Sequence, residues 1–201
     1  MKRIHLLLPV TAVVLMLTTG CGGLGNLGSS LGNGSKTYTF ESLPKNVEQL
    51  QALSFADFTD PYAVAAMTVA ALTRYASNTR DCMEMLNFLK GPESVSTYEA
   101  QFIRERLQGK EYKPYSFFKG ATPSNNYTPS KPYKITVDSN PYSFTTDSDG
   151  YKWCTLYVTS GGADNPRPIK LRQKKSTGEW FLNDIQCLSD IRKPSIENKW
   201  D

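Results

Sequence analysis

The sequence predicts an α+β domain, with helices first and an antiparallel sheet after them, and three observations carry that prediction. Between Tyr62 and Tyr75 almost every residue is apolar, and two further stretches with helical spacing follow it. From Tyr133 onward, apolar and polar residues alternate in short runs broken by turn residues. The composition, 39% apolar and 21% charged over 201 residues, is that of a globular chain of one domain or at most two small ones. It excludes a wholly disordered, collagen-like or multispan membrane protein.

Asn46 to Leu53 suits a short first helix. Thr59-Asp60-Pro61 then supplies a cap and a proline at the first helical position for a helix over Tyr62–Tyr75. A helix apolar on nearly every side is one that the fold buries. Asn78-Thr79 opens the next, with Cys82, Met85, Leu86 and Leu89 on one face and Gly91-Pro92 at its end. Ser96 with Glu99 forms a capping box for another, whose stripe reads Tyr98, Phe102, Ile103 and Leu107 before Gly109.

Lys110 to Lys131 shows no periodicity and is punctuated by Pro114, Gly120, Pro123 and Pro129, so it reads as a long loop, either functional or packed down. Tyr133–Val137 and Tyr142–Thr146 read as short strands joined through Asp138-Ser139-Asn140-Pro141. Asp149-Gly150 turns the chain into Tyr151–Thr159, with Cys154, Leu156 and Val158 on one face and Tyr151, Trp153, Thr155 and Tyr157 on the other. Ile169–Lys174 and Trp180–Ile185 complete a hairpin across Thr177-Gly178. The expected architecture is a curved antiparallel sheet of four to six strands with the helices on one face, cystatin-like or cone-shaped.

The N-terminus reads as an address. Lys2 and Arg3 precede an apolar run, Ile4–Leu17, which is closed by Thr18-Thr19-Gly20-Cys21. That run is shorter than the roughly 20 apolar residues a spanning helix needs, and it carries Pro9 and Thr11. Gly20-Cys21 resembles the lipobox of bacterial lipoproteins, in which cleavage leaves the cysteine first and acylated. Thr18 stands where leucine is usual, with Leu17 one place earlier, and ordinary cleavage at a nearby small residue is the competing reading. Lipidation at Cys21 makes the membrane a partner and places the chain in the bacterial cell envelope. Gly22 in the next position leans toward the outer membrane where the host has one. Gly22–Ser35 is a run of Gly, Ser, Asn and Leu without charge, and with Lys36 it makes a tether reaching about 50 Å extended and roughly 20 Å on average. Leu24, Leu27 and Leu31 alternatively dip into the lipid surface. The single domain then runs over 37–201.

Charge and histidine exclude whole classes of function. The chain has 23 Lys and Arg against 19 Asp and Glu, and loss of the leader leaves 21 against 19, a net +2 that argues against a nucleic-acid partner. The one histidine is His5, within the leader. Without it, Ser-His-acid and Cys-His nucleophile systems and imidazole zinc sites cannot be built from this chain alone. Carboxylate, lysine, tyrosine or serine–lysine chemistry remains, but no spacing brings two acids together as a catalytic pair. The expectation is a domain with no catalytic residue, no cofactor and no metal.

Several groups compete for a binding role. Tyr151, Trp153 and Tyr157, joined by Trp180 and Tyr142, form an aromatic strip suited to a sugar ring or a peptide, unless helices or the long loop cover it. The Gly161–Pro168 loop adjoins Arg167, Lys170, Arg172 and Lys174. The last three share a strand face that suits an anion, or else mark an edge strand guarded by charge and proline. Asn126 and Tyr127 represent the long loop in this candidate surface. Asp147-Ser148-Asp149-Gly150 has the opening spacing of a calcium loop, but its later ligands are absent and a hairpin turn explains the same residues. Cys154 and Cys187 fall on apolar strand faces and are candidates for a disulfide; the alternative is that they and Cys82 are three buried thiols.

The segments Leu53–Tyr75, Met85–Pro92 (MLNFLKGP), Gly120–Tyr133 (GATPSNNYTPSKPY), Gly161–Arg172 (GGADNPRPIKLR) and Ser189–Pro194 (SDIRKP) together resemble an uncharacterised bacterial family, a domain of unknown function found mainly in anaerobic and gut bacteria. The resemblance covers about Leu43 to Ile196 and implies a single α+β domain. It implies no activity, cofactor or catalytic residue. The functional expectation is therefore a lipid-anchored envelope protein whose domain binds an envelope protein or a small ligand without chemistry. The alternatives are an enzyme working without histidine in a pocket between helices and sheet, or a structural accessory of an envelope assembly.

Overall fold

The computed structural model describes residues 34–197, so the leader, Cys21 and the tether reading up to residue 33 lie outside the described residues. In chain order the elements are β1 (Ser35–Phe40), α1 (Val47–Gln51), α2 (Pro61–Leu72), α3 (Thr79–Lys90), α4 (Thr97–Leu107), β2 (Tyr133–Asp138), β3 (Phe144–Thr146), β4 (Lys152–Val158), β5 (Arg167–Gln173) and β6 (Trp180–Ile185). The strands make one open antiparallel sheet in the order β1-β2-β4-β5-β6, with β3 also paired to β4. The fold class is therefore α+β.

α2 organises the core. All twelve of its residues are buried, and it touches β1, β2, β4, β5 and β6, lying across the sheet. Five alanines leave its surface low enough for close approach, and its threonine, Thr68, satisfies its hydroxyl on the Val64 carbonyl at 2.8 Å. Its start is tied to the sheet by Asp60. That carboxylate accepts from the Tyr62 amide at 3.1 Å, the Tyr38 hydroxyl at 2.6 Å and Lys36 at 3.0 Å. α3 packs against α2 and β6, and α1 against α3. At Gly91, which ends α3 at φ 64°, a side chain would run into the Phe181 ring.

Three expectations are corrected. Ser35 and Lys36, read as tether, begin β1, which pairs along its whole length with β2. α2 ends at Leu72, three residues short of Tyr75. Tyr98 is 80% exposed: it sits in the first turn of α4, of which only Ile103 and Leu107 are buried. β2 and β3 both lie along the same edge of β4, Asp138 opposite Tyr157 and Phe144 opposite Cys154. The long loop is packed down, with Phe117, Phe118, Ala121 and Tyr127 all buried.

Candidate functional site

Alternation along β4 and β5 sorts their side chains onto two faces. Cys154, Leu156, Val158, Ile169 and Leu171 face the helices and are fully buried. Trp153, Thr155, Tyr157, Lys170 and Arg172 take the opposite face and are half-exposed. The register sets Trp153 opposite Arg172 and Thr155 opposite Lys170. Lys170 Nζ lies 4.9 Å from the Trp153 ring centre and the Arg172 guanidinium 5.0 Å from it. The same guanidinium is 4.5 Å from the Tyr151 ring, and Lys175 Nζ approaches that ring at 4.2 Å. Cations and rings thus interleave in one row across the strand pair.

Three carboxylates border this row: Asp147, Glu93 and Asp184, the last opposite Lys170 in the β5–β6 register. Asp147 accepts from the Trp153 indole N–H at 2.8 Å and from the amides of Tyr151 at 2.9 Å and Asp149 at 3.1 Å, and these bonds hold it below the usual carboxylate range. The Asp147–Gly150 segment is accordingly a turn that orients the indole. Glu93 reaches Arg172 at 3.6 Å.

The remaining candidates lie elsewhere. Arg167 shares its strand face with Ile169 and Leu171, away from Lys170, and its guanidinium donates to the Asp190 carbonyl at 2.8 Å. Tyr127 is 2% exposed, stacks on Tyr112 at 5.2 Å and donates to the Arg192 carbonyl at 2.6 Å. Burial pushes its phenol up to about 12. With Lys113, which donates to the Leu188 carbonyl at 2.8 Å, these residues strap the C-terminal run to the body. Asn126 is exposed in a left-handed turn at φ 53°. Cys82, Cys154 and Cys187 are three separate buried thiols, so the Cys154–Cys187 pairing is not formed. Burial pushes the Cys82 thiol up to about 12 and raises Cys154 and Cys187 likewise, which keeps them protonated and inert.

On the helix side a cleft of about 240 Å³ opens between α4 and β6, walled by Tyr98, Phe102, Leu182 and Ile185. Within it Lys90, 5% exposed, donates to Glu99 Oε1 at 2.6 Å and to the Asn183 carbonyl at 3.2 Å. Glu99 Oε2 accepts from the amide and hydroxyl of Ser96, both at 2.8 Å. Burial raises the Glu99 carboxyl, but the bonds from Lys90 and Ser96 outweigh it, and the net shift is downward. Both of its oxygens are committed to capping α4 and holding Lys90, an arrangement that suits structure better than proton transfer. Nothing in the sequence marked Lys90 as buried, since its carboxylate partner lies on a different helix.

Fold and site together define an α+β domain that turns one sheet face to its helices and sets rings and cations on the other. The chain belongs to the family described as a domain of unknown function (DUF6935), whose model matches residues 42–195. No curated protein and no solved structure matches it.

Proposed function

We propose that this chain is a lipid-anchored protein of the bacterial cell envelope whose domain holds an anionic partner or small ligand without chemical turnover. Cys21 carries the lipid, and the Gly-rich run behind it holds the domain clear of the headgroups, in the outer membrane where the host has one. The observation that carries the binding reading is the row of Lys170, Arg172 and Lys175 set against the rings of Trp153 and Tyr151. Of the carboxylates beside it, Asp147 is occupied by the indole and two amides, and Glu93 meets only Arg172. Lys170 and Lys175 make no ion pair among the described residues, so both ammonium groups can meet an anionic group of a ligand, and the rings give it a flat surface to lie on.

The test has two arms. The mature protein should carry diacyl or triacyl mass in the membrane fraction, and Cys21→Ala should be soluble and unmodified; an unmodified soluble wild type contradicts the anchor. Trp153→Ala with Arg172→Glu should keep the circular dichroism of the wild type and lose at least tenfold of its capture of solubilised envelope components. Unchanged capture contradicts the choice of face.

A further inference from the structure

The outer face holds a second feature, which shares no residue with the Trp153–Arg172 row. β2 and β4 pair only through Val137 with Val158 and Asp138 with Tyr157, and then diverge. Segment 116–121 fills the gap: the Lys119 amide donates to the Lys134 carbonyl at 2.9 Å, and the Gly161 amide to the Ser116 carbonyl at 2.8 Å. This inserted segment is held close. Any side chain at Gly161 would run into the Ala121 carbonyl, and the Ser160 hydroxyl donates to that of Ser116 at 2.8 Å.

What the insertion leaves open is a cleft of about 560 Å³, within the roughly 300–1,000 Å³ usual for small-molecule sites. Thr37, Thr136 and Thr159 line it together with Lys119 and Lys134, and no carboxylate does. Neither lysine joins an ion pair among the described residues. The Thr37 and Thr136 hydroxyls share one bond at 2.9 Å, which leaves a donor and several acceptor positions for a guest. Phe117 and Phe118 also line the cleft but are 3% and 2% exposed, so they offer no ring on which a nucleobase could stack.

We infer that this cleft binds an acidic sugar, its carboxylate held by Lys119 and Lys134 and its ring hydroxyls by the threonines. Two cations without a resident counter-charge call for an anion. The threonine hydroxyls, each able to donate and accept, call for a polyhydroxylated body attached to it, which a bare inorganic anion lacks.

The experiment is calorimetric titration of the intact protein with glucuronate, with glucose and inorganic phosphate as comparators. Glucuronate should bind at one site, at least tenfold more tightly than either comparator. Lys119→Ala with Lys134→Ala should weaken it by roughly tenfold or more with circular dichroism unchanged, as expected for losing charge-assisted hydrogen bonds. Thr136→Val should weaken it several-fold, and Trp153→Ala should leave it unchanged. Absence of glucuronate binding to the wild type overturns the proposal, as does phosphate binding as tightly as the sugar, which would make the cleft a site for any anion. Loss of glucuronate binding in a folded Trp153→Ala variant would move the sugar to the aromatic row, overturning the cleft assignment while leaving the proposed function standing.

Discussion

The two faces of the β4–β5 pair are built from the same fourteen residues of strand and differ in almost every physical respect. On one face Cys154, Leu156, Ile169 and Leu171 are sealed under α2 and carry no polar side chain. On the other, Trp153, Lys170 and Arg172 are half-exposed and are held mainly by one another. Burial of apolar area is worth far more than cation–ring contacts at an exposed site, so stability resides on the helix face and side chains can be altered on the other without unfolding the chain.

The largest effect is expected on the helix face. Leu171→Ala should cost about 2–5 kcal/mol in urea unfolding, since it empties a fully buried site beneath α2. Trp153→Ala, on the opposite face of the adjoining strand, should cost only about 1–2 kcal/mol, the worth of two exposed cation–ring contacts. If the two variants were equally destabilised, the division of labour between the faces would be wrong. Asp60→Ala sharpens the same point from the edge of the core. It removes the cap of α2 and the partner of Tyr38 and should lower stability by about 1–2 kcal/mol.

The smallest effect concerns pH. The Glu99 carboxyl is held below its ordinary value, so its contribution to stability is complete above about pH 4.5 and is lost as pH falls through the lowered folded value. Glu99→Gln should therefore be less stable than wild type at neutral pH, and the gap in Tm should narrow on acidification below about pH 4.5. A gap independent of pH would show that the Lys90–Glu99 pair does not act through charge.

Local signals made most of the helices legible. Asp60-Pro61, Asn78 and the Ser96–Glu99 box cap α2, α3 and α4 as their sequences indicate, because capping is decided within four residues. β4, β5 and β6 were legible from alternation. β1 was not read as a strand although Tyr38 and Phe40 alternate with Thr37 and Thr39, because the Gly-rich run before it disguises where the domain begins. That β2 and β3 share one edge of β4 depends on contacts between distant residues, which no local pattern records. The candidate site was legible in part for the same reason. Period-2 parity placed Lys170 and Arg172 together and Trp153 with Tyr157, but the strap formed by Tyr127, Arg167 and the C-terminal run exists only in three dimensions. Lys119 and Lys134 meet at one cleft only because segment 116–121 inserts where the β2–β4 ladder stops.

The most direct test concerns the exposure of Trp153 and the cations, Lys170 and Arg172, that lie against its ring. Fluorescence quenching by iodide and by caesium, measured on the wild type and on Trp153→Phe, isolates that indole by difference. Relative to free N-acetyltryptophanamide, the Trp153 component should be quenched several-fold more strongly by iodide than by caesium, and added salt should weaken the preference. An iodide-to-caesium ratio no higher than that of the free indole, or a Trp153 component that neither ion reaches, would contradict a positively charged face at Trp153.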